Sequence, residues 1–131
     1  MNYKVKWKNN SHNINKMSLN KQIVQQYMDG FREGNHEKIL ACLGEDVSWY
    51  MPGFINIQGK EAFDKEIEND HFEGKPSIQV TRMVEENDIV VAEGAVQAKI
   101  RAGGMLDAVF CDVFEMENGK IKKLTTYQMN K

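Results

Sequence analysis

The sequence has few of the features that mark membrane, secreted or fibrous proteins. It contains two prolines and two cysteines among 131 residues. No apolar run approaches the roughly 20 residues that a membrane-spanning helix needs, and the N-terminus lacks the apolar region of a secretory signal. We therefore expect a cytoplasmic protein that does not contact a membrane.

Net charge is also small, at -2 with neutral histidines, so no overall field favours nucleic acid as a partner. Residues 1–17 differ from the rest, because this leader carries four lysines and no acid. Tyr3, Val5 and Trp7 alternate with those lysines. The leader is predicted to be either a solvated tail or a short edge strand, and residues 18–131 to form one domain.

Cysteine and histidine are placed without the spacing of a metal or redox site. Cys42 and Cys111 each lie inside an apolar run, which is typical of buried, reduced thiols. The three histidines show no ligand spacing. The sequence therefore implies no metal and no cofactor.

Helical signals dominate the N-terminal half of the chain. Ser18 is a good N-cap, and apolar residues follow it at three- and four-residue spacing. The predicted elements are a helix from Ser18 to Gly34, a short helix between Asn35 and Gly44, a strand from Asp46 to Met51 and a helix from Lys60 to Phe72.

From Pro76 onward, apolar residues recur at every second position instead of every third or fourth. This alternation is typical of strands. The predicted strands are one around Ile78 to Val84, then Ile89 to Arg101, Met105 to Met116 and Ile121 to Met129. Helices followed by antiparallel strands indicate an α+β fold. Because both faces of this sheet are apolar in places, we expect a homodimer formed through the sheet.

Several short segments carry a resemblance to a known fold family. They are Gly34-Asn35, the run from Glu45 to Gly53, Gly59 to Phe63, Asp112-Val113-Phe114 and Asn118 to Ile121. Over residues 18–129 the chain resembles the nuclear-transport-factor-2-like superfamily, which includes the ketosteroid-isomerase-like and SnoaL-like polyketide cyclase proteins. The resemblance implies a cone-shaped half-barrel, in which a curved antiparallel or mixed sheet and three helices from the N-terminal half enclose an apolar pocket.

The resemblance to ketosteroid isomerase also implies roles for two residues. Tyr27 and Asp112 match the tyrosine and protonated aspartate that stabilise an oxyanion in that enzyme. The position of its catalytic base holds Met51, whose thioether cannot take a proton. The isomerase mechanism is therefore not expected here in its usual form.

Asp112 is also singled out by the residues around it. Two-residue alternation places it on one strand face with Ala108, Phe110 and Phe114. Desolvation on such a face raises the pKa of a carboxyl group and makes it a functional candidate. The alternative is a structural acid bonded to neighbouring groups.

The expected pocket wall combines aromatic and polar side chains. Glu93 could replace the missing base, although a one-residue slip of register would turn it and Gln97 outward. Thr126 is expected to help close the wall. The candidate ligand-binding residues are Phe31, Trp49, Met51, Phe54, His71, Glu93, Gln97, Phe110, Phe114 and Gln128.

The predicted function is to bind a small, largely apolar molecule and to catalyse proton transfer, cyclisation or hydration on it without a metal. Two alternatives stay open. The chain could bind a ligand without turning it over, as the methionine at the base position favours. It could instead be a dimerising interaction module with a filled core.

Overall fold

The computed structural model describes residues 17–131, so the leader, predicted to be a tail or an edge strand, lies outside the described residues. The elements are helices α1 (Leu19–Glu33), α2 (His36–Leu40) and α3 (Lys60–Ile67), and strands β1 (Leu43–Met51), β2 (Ile55–Gln58), β3 (Phe72–Glu86), β4 (Ile89–Ile100), β5 (Met105–Glu117) and β6 (Lys120–Asn130). In the part of the chain that the structure describes, no helix is both long and apolar enough to span a bilayer.

Helix α1 begins and ends at the residues that the sequence indicated. The Ser18 side chain accepts a hydrogen bond of 3.1 Å from the Lys21 N–H, which satisfies one of the free amides of the first turn. Gly34 ends the helix with φ of 68°, a left-handed conformation that glycine adopts without steric penalty. The apolar stripe between these caps buries Val24, Tyr27 and Met28.

The six strands form one sheet in the order β2-β1-β6-β5-β4-β3. Strands β1 and β6 run parallel, whereas the other neighbouring pairs run antiparallel. Strands β2 and β3 are the two edges, so the sheet is open. The predicted α+β fold with a mixed half-barrel sheet is confirmed.

One sheet face packs against the helices and the other does not. Along β5 burial alternates with residue number, so Ala108, Phe110, Asp112, Phe114 and Met116 are buried and the residues between them are more exposed. We call the face that carries Asp112 the inner face and the face that carries its neighbours Cys111 and Val113 the outer face. The inner face and the helices together bury the core.

Several elements differ from the sequence predictions, including β3, which begins at Phe72 rather than near Ile78. Strand β2 was not predicted, although Ile55 and Ile57 alternate with polar residues after the Pro52-Gly53 turn. Strand β1 begins at Leu43 because Leu43 pairs with Ile121 of β6. Helix α3 ends at Ile67 rather than Phe72, since Phe72 already pairs with Ile100 in the β3–β4 ladder.

Candidate functional site

Asp112 lies near the middle of β5 on the inner face of the sheet. Its neighbours across the ladders are Ala92 on β4 and Thr126 on β6. Asp112 is only 8% exposed, and its Oδ1 atom has no hydrogen-bond partner. A buried polar atom without a partner is uncommon in a folded protein and calls for an explanation.

Burial changes the protonation of this carboxyl group. Desolvation raises the pKa of Asp112 from 3.8 to about 7, and a hydrogen bond with the Thr126 side chain opposes the rise. A carboxyl group with such a pKa is protonated in a large fraction of molecules at neutral pH. When protonated it can donate a hydrogen bond as well as accept one.

A tryptophan holds the threonine beside Asp112. The Trp49 Nε1–H donates to Thr126 Oγ1 over 3.0 Å. The Trp49 ring in turn stacks on Phe63 of helix α3, with 4.9 Å between the ring centroids. Side chains from β1, α3 and β6 therefore form one connected group next to the acid.

Tyr27 of α1 is fully buried among aromatic rings. Its ring centroid lies 5.3 Å from that of Phe114 and 5.1 Å from that of Phe31. Burial, and then the nearby Asp112 carboxyl, raise the pKa of Tyr27 well above 10. The phenol therefore stays protonated and keeps its hydrogen-bond donor.

The remaining inner-face candidates surround these residues. Phe31 is half-buried, and its ring centroid lies 6.2 Å from that of Trp49. Phe110 packs directly over Gly94, where an added Cβ would come within 2.7 Å of the phenylalanine ring. Met51 is half-buried at the end of β1, and its side chain lies on the same face of the strand as that of Trp49.

Glu93 and Gln97 lie on the opposite face from Asp112. Glu93 is opposite Cys111 in the register, and its carboxylate accepts a hydrogen bond of 2.6 Å from Arg82 Nε. Gln97 is exposed and donates to Asp107 Oδ1 over 3.3 Å. The register thus turns this polar row outward, so neither residue is brought to Asp112.

Three more candidates are solvent-exposed. Phe54 is 80% exposed in the turn between β1 and β2. His71 is exposed in the connection from α3 to β3, and its ring packs edge-on against Phe72. Gln128 is exposed as well. It pairs with Phe110 in the β5–β6 ladder, so its side chain is on the inner face.

Two concave regions occur on the described surface. One, of about 410 Å³, is lined mainly by outer-face residues such as Glu93, Val109 and Cys111. The other, of about 530 Å³, lies near the irregular pairing of β1 with β6 and is rich in lysine. Asp112 lines neither of them, so an enclosed pocket around the acid stays a prediction.

Residues 17–131 bring no three histidine, cysteine or acidic side chains together as a set of metal ligands. The two cysteines are both free: Cys42 is buried and Cys111 is half-buried.

Comparison with known families identifies the chain. The family model of the SnoaL-like domain matches residues 24–124, which is most of the chain, and the protein belongs to this family. Among curated proteins, none matches it by sequence.

Several solved structures share the fold. An LEH-like epoxide hydrolase from Mycobacterium tuberculosis has a TM-score of 0.75 at 18% identity, over 85% of this chain and 83% of its own. TerC, co-crystallised with polyporic acid, has a TM-score of 0.75 at 20% identity, and the match covers 87% of this chain and 92% of TerC. A candidate polyketide cyclase from Xanthomonas campestris has a TM-score of 0.69 at 24% identity, and the match covers 83% of this chain and 89% of the cyclase. At these identities the likeness shows the fold alone.

The sequence did not indicate the hydrogen-bonding role of Thr126 or the place of Phe63. Thr126 was expected only to help close the wall, and Phe63 was named only as the end of the segment from Gly59 to Phe63. Alternation with Leu124 puts Thr126 on the inner face, but its position opposite Asp112 follows from the strand pairing.

Proposed function

We propose that this SnoaL-like protein binds a small, largely apolar molecule beside Asp112, and that the protonated Asp112 carboxyl group donates to a carbonyl or hydroxyl oxygen of that molecule. The observation that carries the proposal is the buried Oδ1 atom without a partner. Leaving such an atom unsatisfied costs about 1–3 kcal/mol. A ligand oxygen at that atom would offset this penalty.

The surroundings of Asp112 define the class of ligand. Phe114 and Tyr27 are buried and Phe31 and Trp49 are half-buried, so the body of the ligand would be apolar. A protonated carboxyl group and a phenol are both hydrogen-bond donors, so its polar group would be an acceptor. Asp112 lines neither of the two concave regions described above, so the proposal places the ligand against the half-buried rings of Phe31 and Trp49, which lie between the core and the surface.

Donation from Asp112 favours reactions in which negative charge develops on an oxygen. Donors held in a dry site stabilise such charge strongly. Proton transfer next to a carbonyl, cyclisation and hydration all pass through a state of this kind. Tyr27 would act as a second donor, because its raised pKa keeps the phenol protonated.

A non-catalytic binding protein is the second candidate, and the position of the acids favours it. Met51 occupies the place of the isomerase base, and Glu93 lies on the outer face in an ion pair with Arg82. Ligand binding needs only the donor at Asp112, whereas proton abstraction needs a base as well.

Thermal unfolding with a library of steroids, polyketides and aromatic acids tests the binding proposal, because a bound ligand stabilises the native state by mass action. We expect hits whose shift in Tm is lost in Asp112→Leu, whose side chain cannot donate a hydrogen bond, and kept in Asp46→Asn, an exposed acid on β1. Hits that Asp112→Leu binds as well as the wild type does would contradict the proposal. Product formation from a hit would separate the enzyme from the binding protein.

We also propose that two copies of this chain associate through the outer face. Val109, Tyr127 and Met129 are 43%, 55% and 71% exposed there, and they border the concave region that contains Cys111. Sedimentation should give a dimer mass for the wild type and a monomer mass for Val109→Glu. Leu19→Glu, at an exposed position on α1, should stay dimeric. A wild-type monomer at every concentration would refute the dimer.

We propose the cytoplasm as the location, since the two cysteines do not pair and free thiols persist in reducing compartments. Cell fractionation should recover the protein with the cytoplasm. An alkylating reagent should modify both thiols after denaturation, and recovery outside the cytoplasm would contradict the proposal.

A further inference from the structure

The outer face of the sheet has a groove that crosses four strands. The concave region of about 410 Å³ is lined by residues of β3, β4, β5 and β6, among them Glu93, Cys111 and Tyr127. These three residues are directly opposite one another in the register. The groove therefore runs across the strands, and the outer face is concave in the direction along β5.

In the direction across the strands the same face is convex. Helix α1 contacts β3, β4 and β6, and helix α3 contacts β1 and β2, so the sheet curves around the helices with its inner face. Its outer face bulges accordingly, with the crest at the two middle strands, β6 and β5. Twisted sheets combine two such curvatures. Around Cys111 the outer face is thus shaped like a saddle.

A saddle-shaped face fits a second copy of itself in one orientation. The two copies of an isologous dimer present the same patch to each other about a two-fold axis, which here lies between the two sheets. An axis along β5, or at a right angle to it, would set groove against groove and leave a gap. A diagonal axis sets the crest of each copy into the groove of the other, and the strands of the two sheets then cross at about a right angle.

The charges beside the groove are compatible with such a contact. Arg82 Nε lies 2.6 Å from Glu93 Oε1 at the β3 end of the groove, and Lys131 Nζ lies 3.4 Å from Asp107 Oδ1 next to it. An isologous contact brings identical groups close together, so unpaired charges of one sign would repel each other. Pairing within each copy leaves this part of the face neutral, which favours a second copy of the chain over a charged partner.

We propose that the two-fold axis of the dimer passes over Cys111 and runs diagonally to β5, so that the two sheets cross and the two Cys111 side chains face each other. This inference rests on the dimer proposed above and adds its geometry. Val109 is two residues from Cys111 along β5, and Tyr127 is its neighbour on β6. Both lie off a diagonal axis, so each of them contacts a different residue of the second copy.

Opposite charges test whether Cys111 lies on the axis, because a residue on the axis meets its own copy. Cys111→Lys and Cys111→Glu should each weaken dimerisation by about 100-fold or more, since like charges then face each other. An equimolar mixture of the two variants should form a heterodimer, which native mass spectrometry identifies by its mass. Cys111→Ser, a neutral substitution, should dimerise as the wild type does.

Two matched pairs of variants test the direction of the axis. They are Val109→Lys with Val109→Glu, and Tyr127→Lys with Tyr127→Glu. We expect each variant to be monomeric alone and each mixture to stay monomeric. An axis along β5 would restore a heterodimer at Val109, and an axis at a right angle to β5 would restore one at Tyr127. Either result would overturn the crossed arrangement.

The position of the axis is overturned if the two Cys111 variants keep the circular dichroism spectrum of the wild type and their mixture stays monomeric. If these variants do not fold, cross-linking of the wild type replaces them. A short bismaleimide should join two copies through Cys111, because Cys42 is buried, and should not join copies of Cys111→Ser. A wild-type dimer that is not joined would also overturn the axis. Failure of the proposed dimer itself is distinguishable, because the wild type would then sediment as a monomer.

Discussion

Asp112 and Glu93 lie on adjacent strands of one sheet, yet their carboxyl groups are in opposite environments. Asp112 is on the inner face between Phe110 and Phe114, and burial raises its pKa to about 7. Glu93 is on the outer face, where a hydrogen bond from Arg82, and then its positive charge, lower the pKa of the glutamate. The inner face favours a neutral acid, and the outer face favours an anion.

The difference arises from a single step in the register. Ala92 is opposite Asp112, and Glu93 is opposite Cys111. Had β4 been displaced by one residue, Glu93 would lie on the inner face beside Asp112, and two acids would share one desolvated site. Two such groups cannot both ionise cheaply. The observed register keeps a single acid in the interior.

Truncation of an inner-face ring should have the largest effect. Phe114 is fully buried, so Phe114→Ala should lower the free energy of unfolding by about 3–5 kcal/mol. Val84→Ala, at an exposed outer-face position on β3 away from the proposed dimer contact, should change it by about 0.5 kcal/mol or less. Urea denaturation measures both. Similar losses in the two variants would show that the faces do not differ in packing.

Removing the inner acid should change the pH dependence of stability. A carboxyl group whose pKa is raised on folding binds its proton more tightly in the native state, so stability falls as pH rises from near 3.8 to about 7. This loss is on the order of 4 kcal/mol. Asp112→Asn, which resembles the protonated acid, should abolish that slope and be more stable than the wild type at pH 8.

The control for this prediction is Asp46→Asn, which removes an exposed acid and should retain the wild-type slope. Urea titrations at a series of pH values measure each variant. An Asp112→Asn protein with the wild-type slope would mean that Asp112 is not neutral in the native state.

Substitution of a glycine by alanine should destabilise the protein more at Gly94, on the inner face, than at Gly44 in β1. A Cβ on Gly94 would lie 2.2 Å from the Gln79 carbonyl oxygen, and backbone cannot rotate away as a side chain can. We expect Gly94→Ala to lower the free energy of unfolding by about 1–3 kcal/mol. A Cβ on Gly44 would have no atom closer than 3.5 Å, so Gly44→Ala should lower the free energy of unfolding much less. Equal thermal midpoints for the two variants would contradict this account.

The smallest effect is expected at the outer ion pair. Arg82→Gln should return the pKa of Glu93 towards its ordinary value, because the hydrogen bond that lowers it is gone. Lys99→Gln removes the partner of Glu73 on the same two strands and should leave Glu93 unchanged. An NMR titration of the glutamate carboxyl carbons measures both. A value for Glu93 that is the same in Arg82→Gln as in the wild type would argue against the ion pair.

Much of the fold was predictable because its signals are local. The caps at Ser18 and Gly34 are properties of a few neighbouring residues, and the long strands each carry their own alternation. Strand β2 was missed because it is only four residues long. Helix α3 was predicted too long, since the end of the helix depends on Phe72 joining a ladder with Ile100.

The candidate site was predictable only where it depends on one strand. Alternation within β5 was enough to group Asp112 with Phe110 and Phe114. The outward position of Glu93 and Gln97 depends on how β4 pairs with β5, and the hydrogen bond from Trp49 to Thr126 joins residues 77 positions apart. Phe54 was expected in the wall from its apolar character, but the turn that carries it projects into solvent.

By itself the sequence determined the order of helices and strands and the side of β5 on which the acid lies, because caps and alternation act over a few residues. Tertiary structure alone decided that Glu93 faces outward and pairs with Arg82, and which side chains lie beside Asp112. Those outcomes depend on register and on contacts between distant segments, where a shift of one residue exchanges the two faces of a strand.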